Sequence, residues 1–128
     1  MKRVLFVCVE NSNRSQMAEA FAHIHGGDSI DAQSAGSKPS GLINPKAIRF
    51  MGELNYDLST HASKSLDAIE GAFDAVITMG CGDNCPWVPA KFREDWGLAD
   101  PKNMDDENYR IVRDEISTRV KNLLATLT

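Results

Sequence analysis

Continuous apolar runs open the chain and recur in its second half, and they predict buried strands. Residues 3–8 and residues 73–79 are such runs, which are typical of strands covered on both faces of a parallel sheet. Residues 30–35 and residues 91–96 are predicted as two further, shorter strands. Helices are predicted between the first three strands and after the fourth, and a Gly/Cys/Pro-rich loop at residues 80–90 joins the last two strands. This alternation of strands with helices predicts an α/β fold with right-handed crossovers.

Apolar positions three and four residues apart predict two amphipathic helices, at residues 14–25 and at residues 106–127. The first helix is expected to stop at the two glycines that follow it, Gly26 and Gly27. The apolar face of the first helix is predicted as Met17, Ala18, Phe21, Ala22 and Ile24. That of the last helix is predicted as Ile111, Val112, Ile116, Val120, Leu123, Leu124 and Leu127.

A further helix is predicted by the signals at its start. Asn44 is a good helix cap and Pro45 suits a first helical turn, so we expect a helix from this point to about Leu54. The elements together fill residues 1–128 and predict a single domain. Its expected fold class is α/β, a three-layer structure with a four-stranded parallel sheet flanked by helices.

The composition excludes several classes of partner. The 128 residues are 42% hydrophobic and 25% charged, as in an ordinary globular domain, and a net charge of −4 argues against general nucleic-acid binding. The first apolar run is too short for a signal peptide and ends at Glu10, and no stretch is long enough to span a membrane. We therefore expect a cytoplasmic protein, in which three cysteines favour catalytic or metal-binding thiols over structural disulfides.

Cys8 ends the first predicted strand, and a polar segment leads from it into the first helix. We call residues 8–15, Cys-Val-Glu-Asn-Ser-Asn-Arg-Ser, the thiol loop. The N–H groups of a tight loop and of a helix N-terminus can cradle an anion, and the same positive field stabilises a thiolate. A buried structural thiol is the alternative. We predict a nucleophilic Cys8 in an oxyanion site formed by Val9, Glu10, Asn11, Ser12, Asn13, Arg14 and Ser15, with Arg14 supplying a planar fork of donors.

Cys81 and Cys85 lie in a Gly/Pro-rich loop after the third predicted strand, at the same edge of the sheet as Cys8. In a helical turn their Cα atoms would be about 6 Å apart and could pair, whereas in an extended chain they would be roughly 13 Å apart. The two thiols can therefore switch with local conformation. Zinc is disfavoured because Cys81, Cys85 and the distant His61 supply at most three ligands. Two inert thiols remain the plainest alternative.

Asp100 follows the fourth predicted strand and is expected at the same edge of the sheet. There it can protonate a leaving oxygen, although an Asp before a Pro is also typical of a turn. His23 and His25 lie near the end of the first helix and are expected to face solvent or to compensate its dipole. His61 belongs to no motif.

The thiol loop and the start of the first helix, from Cys8 to Ala20, resemble those of the low-molecular-weight protein tyrosine phosphatase superfamily. The stretches 78–86 and 95–101, together with Ser34-Ala35-Gly36 and residues 109–116, resemble its thiol-dependent arsenate reductase branch. The resemblance covers essentially the whole chain. Asn84-Cys85-Pro86 and Trp96-Gly97 make the likeness to the reductases more specific than the loop alone.

This resemblance implies a mechanism without a metal or an organic cofactor. Arsenate, with phosphate or sulfate as competitors, would bind the loop amides and Arg14. The Cys8 thiolate would then attack arsenic while Asp100 assists loss of an oxygen as water. Ser15 would stabilise the thiolate, and Asn11 would hold the loop. Cys81 would next attack Cys8 and release arsenite, Cys85 would take over the disulfide, and thioredoxin or another thiol reductant would reduce it.

The chain departs from the family pattern at several positions. Glu10 stands where the loop usually has Gly, and Asn13 stands where it usually has Cys. Ala62 and Lys64 replace a potassium-binding Thr and Asp of some relatives, so that cation site is not expected here. The spacing from Cys81 to Cys85 is also short.

Two other functions use a thiol at the end of a first strand. A phosphatase needs only Cys8, Arg14 and Asp100 and would form a cysteinyl-phosphate. Lys102 and Asn103 follow the Asp-Pro pair where phosphatases often have aromatic residues, which argues against a tyrosyl substrate. A phosphocysteine carrier of sugar transport would need neither Arg14 nor further thiols, and it ranks last.

Overall fold

The computed structural model describes residues 1–80 and 88–127, and these contain four strands and three α-helices in the order strand, helix, strand, helix, strand, strand, helix. The strands are β1 (Lys2–Cys8), β2 (Ile30–Gly36), β3 (Phe73–Thr78) and β4 (Ala90–Asp95). The helices are α1 (Arg14–Gly26), α2 (Pro45–Gly52) and α3 (Asp106–Leu127). Every predicted strand and helix is confirmed, with bounds that differ from the prediction by two residues at most.

All strand pairs in the sheet are parallel, and the strand order is β2-β1-β3-β4. Cys8 at the end of β1 pairs with Gly36 at the end of β2, and Val7 pairs with Thr78 at the end of β3. The loops that follow the strands therefore leave the sheet at one edge, where parallel sheets build their sites. The predicted fold class, a four-stranded parallel sheet flanked by helices, is confirmed.

The alternation of side chains along β1 divides the core between the two faces of the sheet. Val4, Phe6 and Cys8 join a large buried cluster to which all three helices contribute. Leu5 and Val7 face a smaller cluster, which the segment around Leu66 and Ile69 helps to cover. Because both faces of β1 are buried, its sequence is apolar at successive positions.

The helix termini follow the signals in the sequence. The Asn44 side chain accepts a hydrogen bond from the N–H of Lys46 at 2.8 Å and caps α2, which begins at Pro45. Gly27 has a φ of +54° directly after α1, a conformation that suits glycine. None of the helices in the described part of the chain has an apolar stretch long enough to cross a membrane.

The prediction of the apolar helix faces is wrong at two positions, Ile24 and Ile111, which are exposed. Ile24 is 44% exposed and lies between two exposed residues, His23 and His25, in the last turn of α1. Ile111 is 58% exposed because it lies about 200° around α3 from the buried Tyr109. Tyr109 and Arg113, which the prediction omitted, occupy the buried face instead.

Glu53 joins the end of α2 to α3 through two arginines. Its carboxylate accepts hydrogen bonds from Arg110 at 2.8 and 3.0 Å and from Arg113 at 2.8 Å. Arg113 is buried and also donates to the carbonyl oxygen of Phe50 at 2.9 Å. The hydrogen bonds from Arg110 and Arg113 outweigh desolvation and lower the pKa of Glu53 to about 2, from an ordinary value of 4.5.

We expect Glu53→Gln to remove part of the acid dependence of stability. A carboxyl group whose pKa is lower in the folded state stabilises the fold fully above pH 4.5, and this contribution is lost as the pH falls through about 2. Urea unfolding between these pH values should give a shallower loss of stability for the variant than for the wild type. Asp28→Asn, on the exposed turn after α1, is the charge-loss control. Parallel pH profiles of Glu53→Gln and wild type would contradict this role.

Candidate active site

The backbone carbonyl groups of the thiol loop point away from its centre. They are held by a support segment, residues 36–44, which runs beside the loop after β2. Four hydrogen bonds of 2.9–3.3 Å run from the N–H groups of Ser37, Lys38, Ser40 and Asn44 to the carbonyl oxygens of Cys8, Val9, Glu10 and Ser12, respectively. The Ser63 hydroxyl adds a bond to the Glu10 carbonyl at 3.1 Å.

These outward carbonyls determine where the loop amides point. In a planar trans peptide the N–H of one residue is antiparallel to the C=O of the residue before it. The amides of Val9, Glu10, Asn11 and Asn13 therefore face the inside of the loop. The first N–H groups of α1 add unpaired donors at the same place, because a helix leaves these groups without intrahelical partners.

Two donors converge on the sulfur of Cys8. The N–H of Asn11 donates to Sγ at 3.2 Å, and the hydroxyl of Ser15 lies 2.8 Å from Sγ. The Ser15 oxygen already accepts a bond from the Asn11 amide at 2.8 Å, which leaves its own proton to be donated to sulfur. Both donors lie at the floor of the loop and point at the sulfur, the arrangement expected around a nucleophilic sulfur.

Asn11 is the polar centre of the loop. It has a φ of +51°, in the left-handed region that Asn tolerates better than most residues. Its side-chain oxygen accepts bonds from the N–H of Lys64 at 2.7 Å and from the amide of Gln16 at 2.9 Å. Because Asn11 is buried and its side chain bonds on both sides, the strained backbone is held in a single conformation.

Arg14 connects the thiol loop to the loops after β3 and β4. Its Nη1 donates to the carbonyl oxygens of Met79 and Leu98, the latter at 2.7 Å. Both bonds use one nitrogen, so the guanidinium fork keeps Nε and Nη2 for other acceptors. Asp95 anchors this region by accepting bonds from the Thr78 hydroxyl and the Gly80 N–H at 2.6 and 2.8 Å.

A cavity of about 190 Å³ opens above Cys8. Its walls come from the thiol loop and from the start of the turn after β4, and its lining is Cys8, Val9, Glu10, Ser12, Asn13, Arg14, Asp100 and Lys102. Asp100 caps the short turn Pro101–Asn103 by accepting the Lys102 N–H at 3.1 Å. The Lys102 ammonium lies 3.6 Å from the Glu10 carboxylate, so one cation and one anion meet at the rim.

Tyr109 of α3 holds the far side of the loop. Burial, together with the charge of Asp100, raises the pKa of Tyr109, so its hydroxyl stays protonated. This hydroxyl donates to the Asn13 side chain at 2.6 Å. This hydrogen bond attaches Asn13, which lines the cavity, to α3.

Behind the loop, α1 carries a second buried polar group, Glu19. Burial alone would raise the pKa of Glu19, but contacts with His23, His61 and Lys64 lower it. The side chain of His61 is only 6% exposed, and this burial lowers the pKa of His61 despite the nearby carboxylate. Its Nδ1 lies 3.0 Å from the side-chain oxygen Oε1 of Gln16, and the Gln16 side chain in turn donates to Asn11, so this group adjoins the thiol loop.

The structure brings most of the predicted site residues together. Cys8, Arg14 and Asp100 line one cavity, while Asn11 and Ser15 lie buried beneath it. Cys81 and Cys85 lie outside the described residues, and the individual roles of all these groups stay predictions. Sequence reasoning missed Gln16, Glu19, His61, Tyr109 and Lys102. The polar residues among the apolar positions of α1 were the available signal for the first two.

Comparisons with known proteins agree on one family. The profile described as "Low molecular weight phosphotyrosine protein phosphatase" matches residues 3–128. The chain is 41% identical to "Glutaredoxin arsenate reductase" of Synechocystis sp., over 100% of both chains. It is also similar to two solved structures that cover 100% of both chains. These are "An arsenate reductase in the phosphate binding state" (41% identity, TM-score 0.92) and "An arsenate reductase in oxidized state" (40% identity, TM-score 0.91).

We expect Gly36→Ala to disturb the anion site without removing any of its side chains. A Cβ at position 36 would lie 2.4 Å from the Val9 carbonyl oxygen and 3.0 Å from the Asn11 nitrogen, so the loop backbone would have to move. Titration with inorganic phosphate should show affinity reduced roughly tenfold or more, which corresponds to about 1.4 kcal/mol.

Gly52→Ala is the matched control for this substitution. Position 52 ends α2, and a Cβ there meets nothing within 4 Å. Its phosphate affinity should equal that of the wild type, and thermal unfolding should show a fold at least as stable. Wild-type phosphate affinity in Gly36→Ala would mean that the support segment does not shape the loop.

Proposed function

Because the chain belongs to the low molecular weight phosphotyrosine protein phosphatase family, we propose that it reduces arsenate to arsenite with Cys8 as the nucleophile. The observation that carries the proposal is the Cys8 sulfur, which receives two hydrogen bonds at the floor of a cavity lined by inward-facing amides. This cavity suits a tetrahedral oxyanion. The likeness to arsenate reductases over the full chain selects arsenate among such anions.

The first step joins arsenic to sulfur. Arsenate binds the loop amides and the guanidinium of Arg14, which already holds the carbonyl oxygens of Met79 and Leu98. The Cys8 thiolate attacks arsenic, and one oxygen leaves as water with a proton from Asp100. Ser15 and Asn11 stabilise the thiolate before attack through their bonds to Sγ.

The second step transfers two electrons. The Cys81 thiolate attacks the sulfur of Cys8, the arsenic–sulfur bond breaks, and its electron pair leaves with arsenite. Two thiols have then become the Cys8–Cys81 disulfide, which balances the reduction of arsenic by two electrons. Cys85 attacks Cys81 and frees Cys8 for another cycle. The roles of Cys81 and Cys85 rest on their positions in the sequence.

A thiol reductant completes the cycle by reducing the Cys81–Cys85 disulfide. Thioredoxin and glutaredoxin both supply the required pair of thiols, and a full-length relative is named a glutaredoxin arsenate reductase. We place the reaction in the cytoplasm, where such reductants keep cysteines reduced.

We expect Arg14→Lys to impair arsenate reduction strongly. An ammonium is a point charge and cannot hold two backbone carbonyls while presenting a bidentate fork to the anion. Steady-state kinetics should show kcat/KM reduced roughly 100-fold. Lys102→Arg is the control, because it also exchanges an ammonium and a guanidinium, but at the rim of the same cavity. This variant should retain most of the activity. Kinetics of Arg14→Lys like those of the wild type would show that the guanidinium has no special role.

Replacing each cysteine in turn separates reduction from phosphatase chemistry. Hydrolysis of a phosphoester needs Cys8 but no second thiol, so Cys81→Ser should lose arsenate reduction and keep slow hydrolysis of an aryl phosphate. Cys8→Ser should lose both activities. Cys85→Ser should form one arsenite per enzyme and stop with Cys8 joined to Cys81, which mass spectrometry of alkylated peptides would detect.

The outcomes of this series point to different errors. Substantial arsenate reduction by Cys8→Ser would contradict the assignment of Cys8 as the nucleophile. Multiple turnovers by Cys85→Ser would overturn the shuttle role and favour direct attack of the reductant on the Cys8–Cys81 bond. Unchanged arsenate reduction by Cys81→Ser would remove the second step altogether.

A further inference from the structure

A cluster of three potential metal ligands lies behind the thiol loop, and the reaction proposed for Cys8 uses none of them as a reacting group. Glu19 and His23 are four residues apart on α1 and share one face of the helix. His61 reaches the same face from the segment after the short turn Leu58–Thr60. One ligand atom from each of the three residues lies within 4.8 Å of the other two.

The distances between these atoms are close to those of a metal site. The Glu19 Oε2 atom lies 3.1 Å from Nδ1 of His61 and 3.7 Å from Nε2 of His23. Ligand atoms around a tetrahedral zinc ion are about 3.3 Å apart, given metal–ligand bonds of about 2 Å. The imidazole rings of His23 and His61 stand at 89° to each other, with centroids 5.9 Å apart, so they are not stacked against each other.

The two carboxylate oxygens of Glu19 have different partners. Oε1 accepts the Ser34 hydroxyl at 2.8 Å and lies 3.7 Å from the Lys64 ammonium. Oε2 is the atom that faces both imidazoles. The bonds to Oε1 fix the carboxylate in the orientation that presents Oε2, as partners outside a metal site commonly do for its ligands.

His61 is oriented by a partner on its other nitrogen. Its Nε2 lies 2.6 Å from the Tyr56 hydroxyl, and the two rings meet edge to face with centroids 5.5 Å apart. Nδ1 faces two acceptors, the Gln16 side-chain oxygen at 3.0 Å and Glu19 Oε2 at 3.1 Å, so Nδ1 carries the ring proton. An ion that binds Nδ1 replaces this proton, and the ring proton then lies on Nε2, where the Tyr56 hydroxyl accepts it. The His61 side chain is largely inaccessible, whereas the His23 side chain is 40% exposed and gives an ion access from solvent.

We propose that Glu19, His23 and His61 bind a divalent ion of the zinc class, such as Zn²⁺, Co²⁺ or Ni²⁺. Two imidazoles, one carboxylate and a water form an open zinc site, unlike a closed structural site, which requires four protein ligands. The site lies behind the thiol loop, and none of its three residues lines the cavity above Cys8. It also differs from a zinc site on Cys81 and Cys85, which would require thiolate ligands.

Lys64 limits the affinity of this site. Its ammonium lies 3.7 Å from Glu19 and repels an incoming cation, although it contacts the oxygen that faces away from the imidazoles. The Lys64 side chain is 34% exposed, so it can turn toward solvent when an ion binds. Removing this charge should therefore tighten binding, a result that a purely structural cluster would not produce.

Cobalt titration of the reduced full-length protein tests the site, because Co²⁺ reports its ligands in its absorption spectrum. Visible d–d bands without sulfur-to-cobalt charge transfer indicate nitrogen and oxygen ligands, whereas charge-transfer bands indicate binding to cysteine. We expect the wild type to bind one Co²⁺ with the first signature. His23→Gln should weaken this binding roughly 100-fold, since loss of even an outer partner costs 10–100-fold.

His25→Gln is the matched control, because His25 is exposed on the same helix but stacks on Phe21 and contacts Ser117, away from Glu19. It should bind Co²⁺ as the wild type does, and Lys64→Gln should bind more tightly. Equal binding by His23→Gln and the wild type would overturn the proposal. So would a wild-type spectrum showing only thiolate ligands, or the absence of any bound cobalt.

Discussion

The anion site depends on hydrogen bonds between two stretches of backbone, the thiol loop and the support segment. Four carbonyl groups of the loop are turned outward by N–H groups of residues 37–44. Peptide planarity then turns the following amides inward, toward the sulfur of Cys8. A chain with a net charge of −4 can therefore hold an anion, because the local field comes from oriented backbone dipoles and one arginine.

The parallel sheet places these parts within reach of one another. Cys8 and Gly36 end neighbouring strands and pair with each other, so the loop and its support segment leave the sheet side by side. At Gly36 there is no space for a side chain against the Val9 carbonyl oxygen. Buried polar contacts then extend inward from the sulfur through Ser15 and Asn11 to Gln16. Each member is bonded to the next, as a buried polar network requires.

Sequence patterns were sufficient to predict the strands, the helices and the location of the thiol loop, because all of these depend on local signals. Apolar runs, a helix cap and paired glycines all act over a few residues, and every predicted strand and helix is present. Ile111 is apolar but lies about 200° around α3 from the buried Tyr109, so its residue type alone predicted the wrong face. Contacts between distant segments left no such signal: the bond from Tyr109 to Asn13 joins residues 96 positions apart, and His61 meets Glu19 only after folding.

The most direct test of the central claim is steady-state arsenate reduction by the purified protein, with thioredoxin, glutaredoxin and a small thiol supplied as separate donor systems. Arsenite formed and thiols oxidised should be measured in the same reaction. The account predicts one arsenite for each disulfide formed with at least one donor, and competitive inhibition by phosphate and sulfate. The account would be contradicted if the protein hydrolysed aryl phosphates but formed no arsenite with any of the three donor systems. That result would identify the cavity as the active site of a phosphatase.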